Sequence, residues 1–180
     1  MERMKFIMCC DCKSTIYKWL VIITIIFIIF GIISIVIINN QKETNILTAI
    51  AESGDNTQVG NAIIKFSKND IQQGNAITHT EGTDVININE EGIYQISYQL
   101  YGVSEVIGTF NFNAILLVNN TPLQDTLNES PVLTDNYPNR MTLTSTVILK
   151  LNSGDILQLG GLSLEEITYQ RARIDIEKID

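Results

Sequence analysis

Val85-Ile-Asn-Ile-Asn-Glu-Glu-Gly-Ile-Tyr-Gln-Ile-Ser-Tyr-Gln-Leu-Tyr101 carries two strands and the turn between them. Successive side chains of a strand point to opposite faces, so alternation with period two is its signature. Residues 85–89 alternate in that way. Residues 93–101 put Tyr94, Ile96, Tyr98 and Leu100 on one side and Gln95, Ser97 and Gln99 on the other. Glu90-Glu91-Gly92 separates the two runs, and glycine at the corner tolerates a backbone conformation that a side chain would oppose. No helical period fits this stretch, so its reading sets the class of everything around it as β.

The same grammar continues outward. Downstream, residues 109–118 read as a strand with apolar side chains on both faces, among them Phe112, Leu116, Ile115 and Leu117. Asn119-Asn120 then makes a hairpin turn, since asparagine accepts positive φ. Residues 123–139 form a long loop with Pro131 and Pro138. Strands follow at 141–151, 156–159 and 172–179, with Asn152-Ser153-Gly154-Asp155 as the turn between the first two. Upstream, residues 61–66 and 76–79 are short strands. Roughly eight to ten strands in a domain of this length make a two-sheet sandwich.

Before the β region the composition changes. Residues 19–38, from Trp19 to Ile38, hold no charged side chain. Twenty helical residues at about 1.5 Å each match the roughly 30 Å hydrocarbon core of a bilayer. With each central Ile, Leu, Val or Phe contributing about −0.5 kcal/mol, insertion is favourable by something on the order of 8 kcal/mol. The run is longer than a signal-peptide core, and Asn39-Asn40-Gln41-Lys42 offers no small-x-small cleavage site, so the sequence predicts an uncleaved signal anchor. Arg3, Lys5, Lys13 and Lys18 precede the run and Lys42 alone follows closely, which places the N-terminus in the cytoplasm and the β domain outside. The division expected is a basic, cysteine-bearing cytoplasmic tail at 1–18, a transmembrane helix at 19–38, a stalk at 39–59 and a β-sandwich ectodomain at 60–180. Ile46, Leu47 and Ile50 recur at helical spacing, so the membrane helix is expected to run on into the stalk.

Charge follows the same division. The tail carries four basic residues against Glu2 and Asp11, a net of +2; since the whole chain is −8, the remainder is −10. An exported part that acidic does not bind nucleic acid through bulk electrostatics. All three cysteines, Cys9, Cys10 and Cys12, lie in the tail, so the sandwich has no disulfide and depends on its core.

The order of motifs resembles a known family. Phe66, Val85-x-Ile-x-Ile-x-x-x-Gly92-x-Tyr94-x-x-x-Tyr98 and Leu149-x-Leu151-x-x-Gly154-Asp155-x-Leu157-x-Leu159, closed by a short hydrophobic C-terminal strand, are similar to the C1q/TNF-like head. The bacterial versions at the ends of collagen-like surface and spore glycoproteins are the nearest in kind. The chain has no Gly-x-y repeat, and its membrane helix and short stalk are laid out as in TNF-type ligands. The resemblance implies an all-β, ten-stranded, two-sheet jelly-roll sandwich that assembles as a homotrimer. It marks Gly92, Tyr94, Tyr98, Gly154 and Asp155 as structural. The residue pattern adds Tyr98, Ile115 and Leu117 as contacts between subunits, because a sandwich strand apolar on both faces needs a second cover.

Nothing in the sequence converges on catalysis, a metal or a cofactor. His79, the one histidine, lies between Thr78 and Thr80. The pairs Glu90-Glu91 and Glu165-Glu166 stand in turns where adjacent side chains diverge. Asp125 and Asp135-Asn136 show no ordered ladder of calcium ligands. The function expected is therefore a non-catalytic, membrane-anchored surface protein of a bacterial type at the cell membrane, acting by binding or display. Its partners are the lipid bilayer at 19–38, two further copies of itself and an extracellular protein or glycan. A carbohydrate-binding jelly roll, or a glycan-processing enzyme, is the alternative. Against it, the lone tryptophan, Trp19, is at the membrane boundary and only Tyr137 clearly sits in a loop.

Overall fold

Residues 92–104 form one unbroken strand with the alternation intact: Tyr94, Ile96, Tyr98 and Leu100 are buried, while Ile93, Gln95 and Gln99 are exposed. A computed structural model describes residues 10–39, 43–52, 58–104, 112–129, 139–164 and 167–180, with backbone alone at 10–16, 34–39, 58–59 and 139. In chain order these are helix α1 (Cys10–Asn39) and strands β1 (Ile46–Ala51), β2 (Gln58–Val59), β3 (Ala62–Ile63), β4 (Lys68–Gln73), β5 (Ile77–His79), β6 (Ile86–Ile88), β7 (Gly92–Ser104), β8 (Phe112–Val118), β9 (Thr121–Pro122), β10 (Asn128–Glu129), β11 (Asn139–Leu151), β12 (Ile156–Ser163) and β13 (Thr168–Lys178). A 3-10 turn, Gln124–Thr126, precedes β10.

The chain divides into two units, Met1–Glu43 and Thr44–Asp180. The first holds α1, which takes in the apolar run. Residues 17–33 of it, the part with described side chains, are all exposed. They make about 25 Å of helix, and no helix among the described residues is by itself long and apolar enough to cross a membrane.

The second unit is a two-sheet sandwich. One sheet runs β11-β7-β13-β1-β4, with β2 paired to β13. The other runs β10-β8-β12-β6-β5, with β3 paired to β12 and β9 to β8. Among the described residues the sheets have six and seven strands, thirteen against the ten expected, the extra ones being the two-residue β2, β3 and β9, and every pairing is antiparallel. Between the sheets lie Leu47, Phe66, Ile86, Tyr94, Ile96, Leu100, Phe112, Leu116, Leu157, Leu159, Tyr169 and Ile174, among others. Each buried aliphatic of this kind contributes roughly 1.5–3 kcal/mol over its exposed state.

The expected stalk at 39–59 is not one over its central part. Ile46–Ala51 is β1, inside a sheet and paired on both sides, so the sandwich begins near Thr44 rather than at 60. The helical spacing of Ile46, Leu47 and Ile50 concealed a strand. Leu47, Ala49 and Ala51 point to the core, and two of those three are alanines, which announce nothing. The polar strand β4, Lys-Asn-Asp-Ile-Gln-Gln, was also unforeseen, because an edge strand with most residues exposed needs no apolar face. Within the expected 109–118 strand, residues 109–111 lie outside the described residues, as does 130–138 of the long loop.

Candidate functional site

Asp155 anchors the turn that joins β11 to β12. Gly154 has φ +92°, open to glycine and costly for a side chain. Asp155 Oδ2 accepts from the Asn152 amide at 2.7 Å, and Oδ1 accepts from Asn119 Nδ2 at 2.8 Å. Those bonds, the backbone one first, hold its carboxyl below the usual range. Asn119 Oδ1 accepts from the Ile156 amide at 2.9 Å, and Asn119 and Asn120 both take positive φ in the expected hairpin turn. Gly154 N donates to Ile88 O at 2.7 Å. These bonds tie the β11–β12 turn to the Asn119 turn and to β6.

Gly92 is the first residue of β7 and has no positive φ, so the conformational reason given for it does not hold. A Cβ there would stand 2.6 Å from Asp180 Oδ1 and from Lys178 Cε, the ends of two flexible side chains that can swing aside, so space does not require glycine here either. Tyr94 is buried, and its hydroxyl donates to Glu90 O at 2.6 Å. Tyr98 is buried as well, donating to Thr126 O at 2.8 Å. Ile115 and Leu117 lie on β8, in the other sheet, 1% and 8% exposed. The three residues expected between subunits are thus already covered within one chain, and on two different sheets. An apolar side chain in a sequence says that it will be covered, and it does not say by which chain.

His79 packs its ring edge-on against Phe66, with centroids 5.9 Å apart, and sets Nδ1 2.6 Å from Asn69 Oδ1 and Nε2 3.1 Å from Thr83 O. It joins the edge strands of the two sheets and is buried. Among the described residues no group of three or more His, Cys, Asp or Glu is placed to hold a metal ion.

The open surface of interest is the outer face of the β11-β7-β13-β1 sheet. Register aligns its residues in rows across the strands: Ile148, Gln95, Glu177 and Ile46; then Thr146, Ser97, Asp175 and Thr48; then Thr144, Gln99, Arg173 and Ile50; then Thr142, Tyr101 and Arg171. The two ends differ. At the first end Ile148 is 62% exposed and Ile93, beside Lys150, is 39% exposed, with Ile179 donating its amide to Ile93 O. Ile71 of β4, opposite Thr48, is also exposed. In the middle, Ser97 and Thr146 hydroxyls are 2.9 Å apart, and Thr48 donates to Asp175 Oδ1 at 2.6 Å. Arg173 grips the same carboxylate through Nε and Nη2, both at 2.8 Å. Burial raises the Asp175 carboxyl, but Arg173 and Thr48 outweigh it and hold the group below its ordinary value. At the far end Arg171 lies 5.9 Å from the centre of the Tyr101 ring. A cavity of about 500 Å³ opens there, lined by Ile50, Gln99, Tyr101, Thr142, Arg171 and Arg173 among others.

No known family matches the chain by sequence, and no curated protein does. Solved structures match by shape. Murine APRIL superposes with a TM-score of 0.55 at 11% identity, over 76% of this chain and 100% of that one. The globular domain of zebrafish complement 1qA protein gives 0.54 at 9%, over 76% and 97%. Eiger TNF from S. frugiperda gives 0.50 at 13%, over 77% and 94%. The sandwich therefore has the C1q/TNF-like jelly-roll fold.

Proposed function

We propose that this chain is a non-catalytic surface protein, anchored in a cell membrane by residues 19–38 with its N-terminus in the cytoplasm, whose head assembles as a homotrimer and acts by binding or display. The observation that carries the assembly is the exposed apolar end of the outer sheet face: Ile93, Ile148 and Ile179, with Ile46 in the same row as Ile148 and Ile71 on the neighbouring edge strand. Outer faces of a lone sandwich are polar, and several large apolar side chains exposed on one such face mark a contact. The occupant is a second copy of the chain, because three subunits meeting around a threefold axis close without leaving an open surface for further growth. The fold shared with C1q and TNF heads supports the same number. The charge-free run from Trp19 to Ile38, with four basic residues ahead of it, supports the anchor and its orientation.

The test is mass in solution. The full chain in detergent is measured by light scattering, together with the variant Ile93→Asp/Ile148→Asp. A trimer that falls to a monomer with the head still folded is the expected result. A monomer from the start, or a trimer indifferent to the two aspartates, overturns the reading.

A further inference from the structure

The cavity at the cationic end of the outer sheet face begins two rows from Ile148, and its chemistry is different. We propose that it is a binding site for a small organic acid, a ligand with a carboxylate on a compact polar or apolar body. The site is complete within one chain, so the proposal does not rest on the trimer.

Its construction follows from strand geometry. Arg171 and Arg173 alternate with Ala172 on β13, so both guanidinium groups project from the same face, one pleat repeat apart, on the order of 7 Å. Each is held in place by a different partner. Arg171 is positioned over the Tyr101 ring. Arg173 is fixed by two bonds to Asp175, itself held by Thr48. A guanidinium has five N–H donors in a fixed fork, and the two spent on Asp175 leave the others for a ligand. Side chains ordered in advance lose less entropy on binding. With Asp175 counted, this corner has a net positive charge inside a sandwich that is otherwise acidic, so attraction to a carboxylate here is local rather than a property of the whole surface.

The remaining lining fits the rest of such a ligand. Gln99 and Thr142 offer neutral hydrogen-bonding groups from β7 and β11, and Ile50 supplies an apolar wall. A volume of about 500 Å³ falls inside the range of roughly 300–1,000 Å³ usual for small-molecule pockets. A nucleic acid is a poor occupant, since the rest of the domain repels a polyanion.

Calorimetric titration of the full chain in detergent with sodium glucuronate and sodium glutarate tests this, with glucose and glutaramide as uncharged counterparts. Saturable binding of at least one acid, with its uncharged counterpart inert, is expected. Arg171→Gln should weaken it by about tenfold or more, the effect of losing one charged hydrogen-bonding partner. Lys150→Gln, at the opposite end of the same face, should leave it unchanged. Arg171 is exposed, so its replacement spares the core; Gln99→Ala, expected to weaken binding too, repeats the test without touching charge. No saturable binding of either acid, equal binding of the uncharged compounds, or indifference to Arg171→Gln overturns the site. Mass measured on the same samples keeps the two ideas apart: a trimer that binds no acid sinks this proposal alone, and a monomer that binds sinks only the assembly.

Discussion

Tyr169 and Gly161 are fitted to each other across two sheets. The Tyr169 ring is 1% exposed and meets Phe112 edge-on at 6.2 Å, and its burial pushes the phenol well above the ordinary range. A Cβ on Gly161 would lie 2.5 Å from Tyr169 Cζ, far inside van der Waals contact. The ring cannot retreat, because a close-packed core offers no spare volume. Gly161→Ala should therefore cost roughly 1–3 kcal/mol of unfolding free energy, the usual effect of overpacking. Urea denaturation checks it, and an unchanged midpoint would mean that the ring has room to move. Gly160, one residue earlier, faces Ile115 and Leu117 on the other side of the same strand. Two adjacent glycines thus let both faces of β12 approach large neighbours.

At the scale of elements, the turn from Asn152 to Asp155 is held by one carboxylate. Its pKa in the folded chain lies below the ordinary value of an aspartate. A depressed carboxyl contributes stability that is present above the unfolded value and disappears as pH falls through the folded one. The melting temperature of the parent chain should accordingly exceed that of Asp155→Asn near neutrality, and the gap should close as pH drops below about 4. A gap constant from neutral to acid would show that the charge is irrelevant to the turn. This turn and the long strands were legible in the sequence, because Gly-Asp and strict alternation at 93–101 each have a single physical meaning. β1 and β4 were not. An alanine-lined central strand and a polar edge strand both lack the contrast between faces on which periodicity depends. The outer sheet face was equally hidden. Its members, such as Arg171, Thr142 and Tyr101, come from three strands distant in sequence, and only register places them side by side. Tyr98, Ile115 and Leu117 misled for the opposite reason: burial was anticipated, but a second chain was credited with cover that the first one supplies.

For the whole molecule, the orientation proposed for the anchor is open to a direct check. The chain's three cysteines, Cys9, Cys10 and Cys12, all precede the apolar run. A membrane-impermeant maleimide should leave intact cells unlabelled and react once the membrane is opened; strong labelling of sealed cells would reverse the topology. The sandwich itself has a closure that depends on order of synthesis. β1, its first strand, pairs along its whole length with β13, its last, Ile46 opposite Glu177 and Ala51 opposite Ala172. β13 also lies between β1 and β7, so until residues 168–178 have left the ribosome the centre of that sheet has a gap one strand wide. Contacts so far apart in sequence form late and slowly. Emerging chain therefore waits with Leu47, Tyr94, Ile96 and Leu100 uncovered. A chain in which β13 has not yet paired is left with an open sheet, a state that quality-control proteases can tell from the finished one.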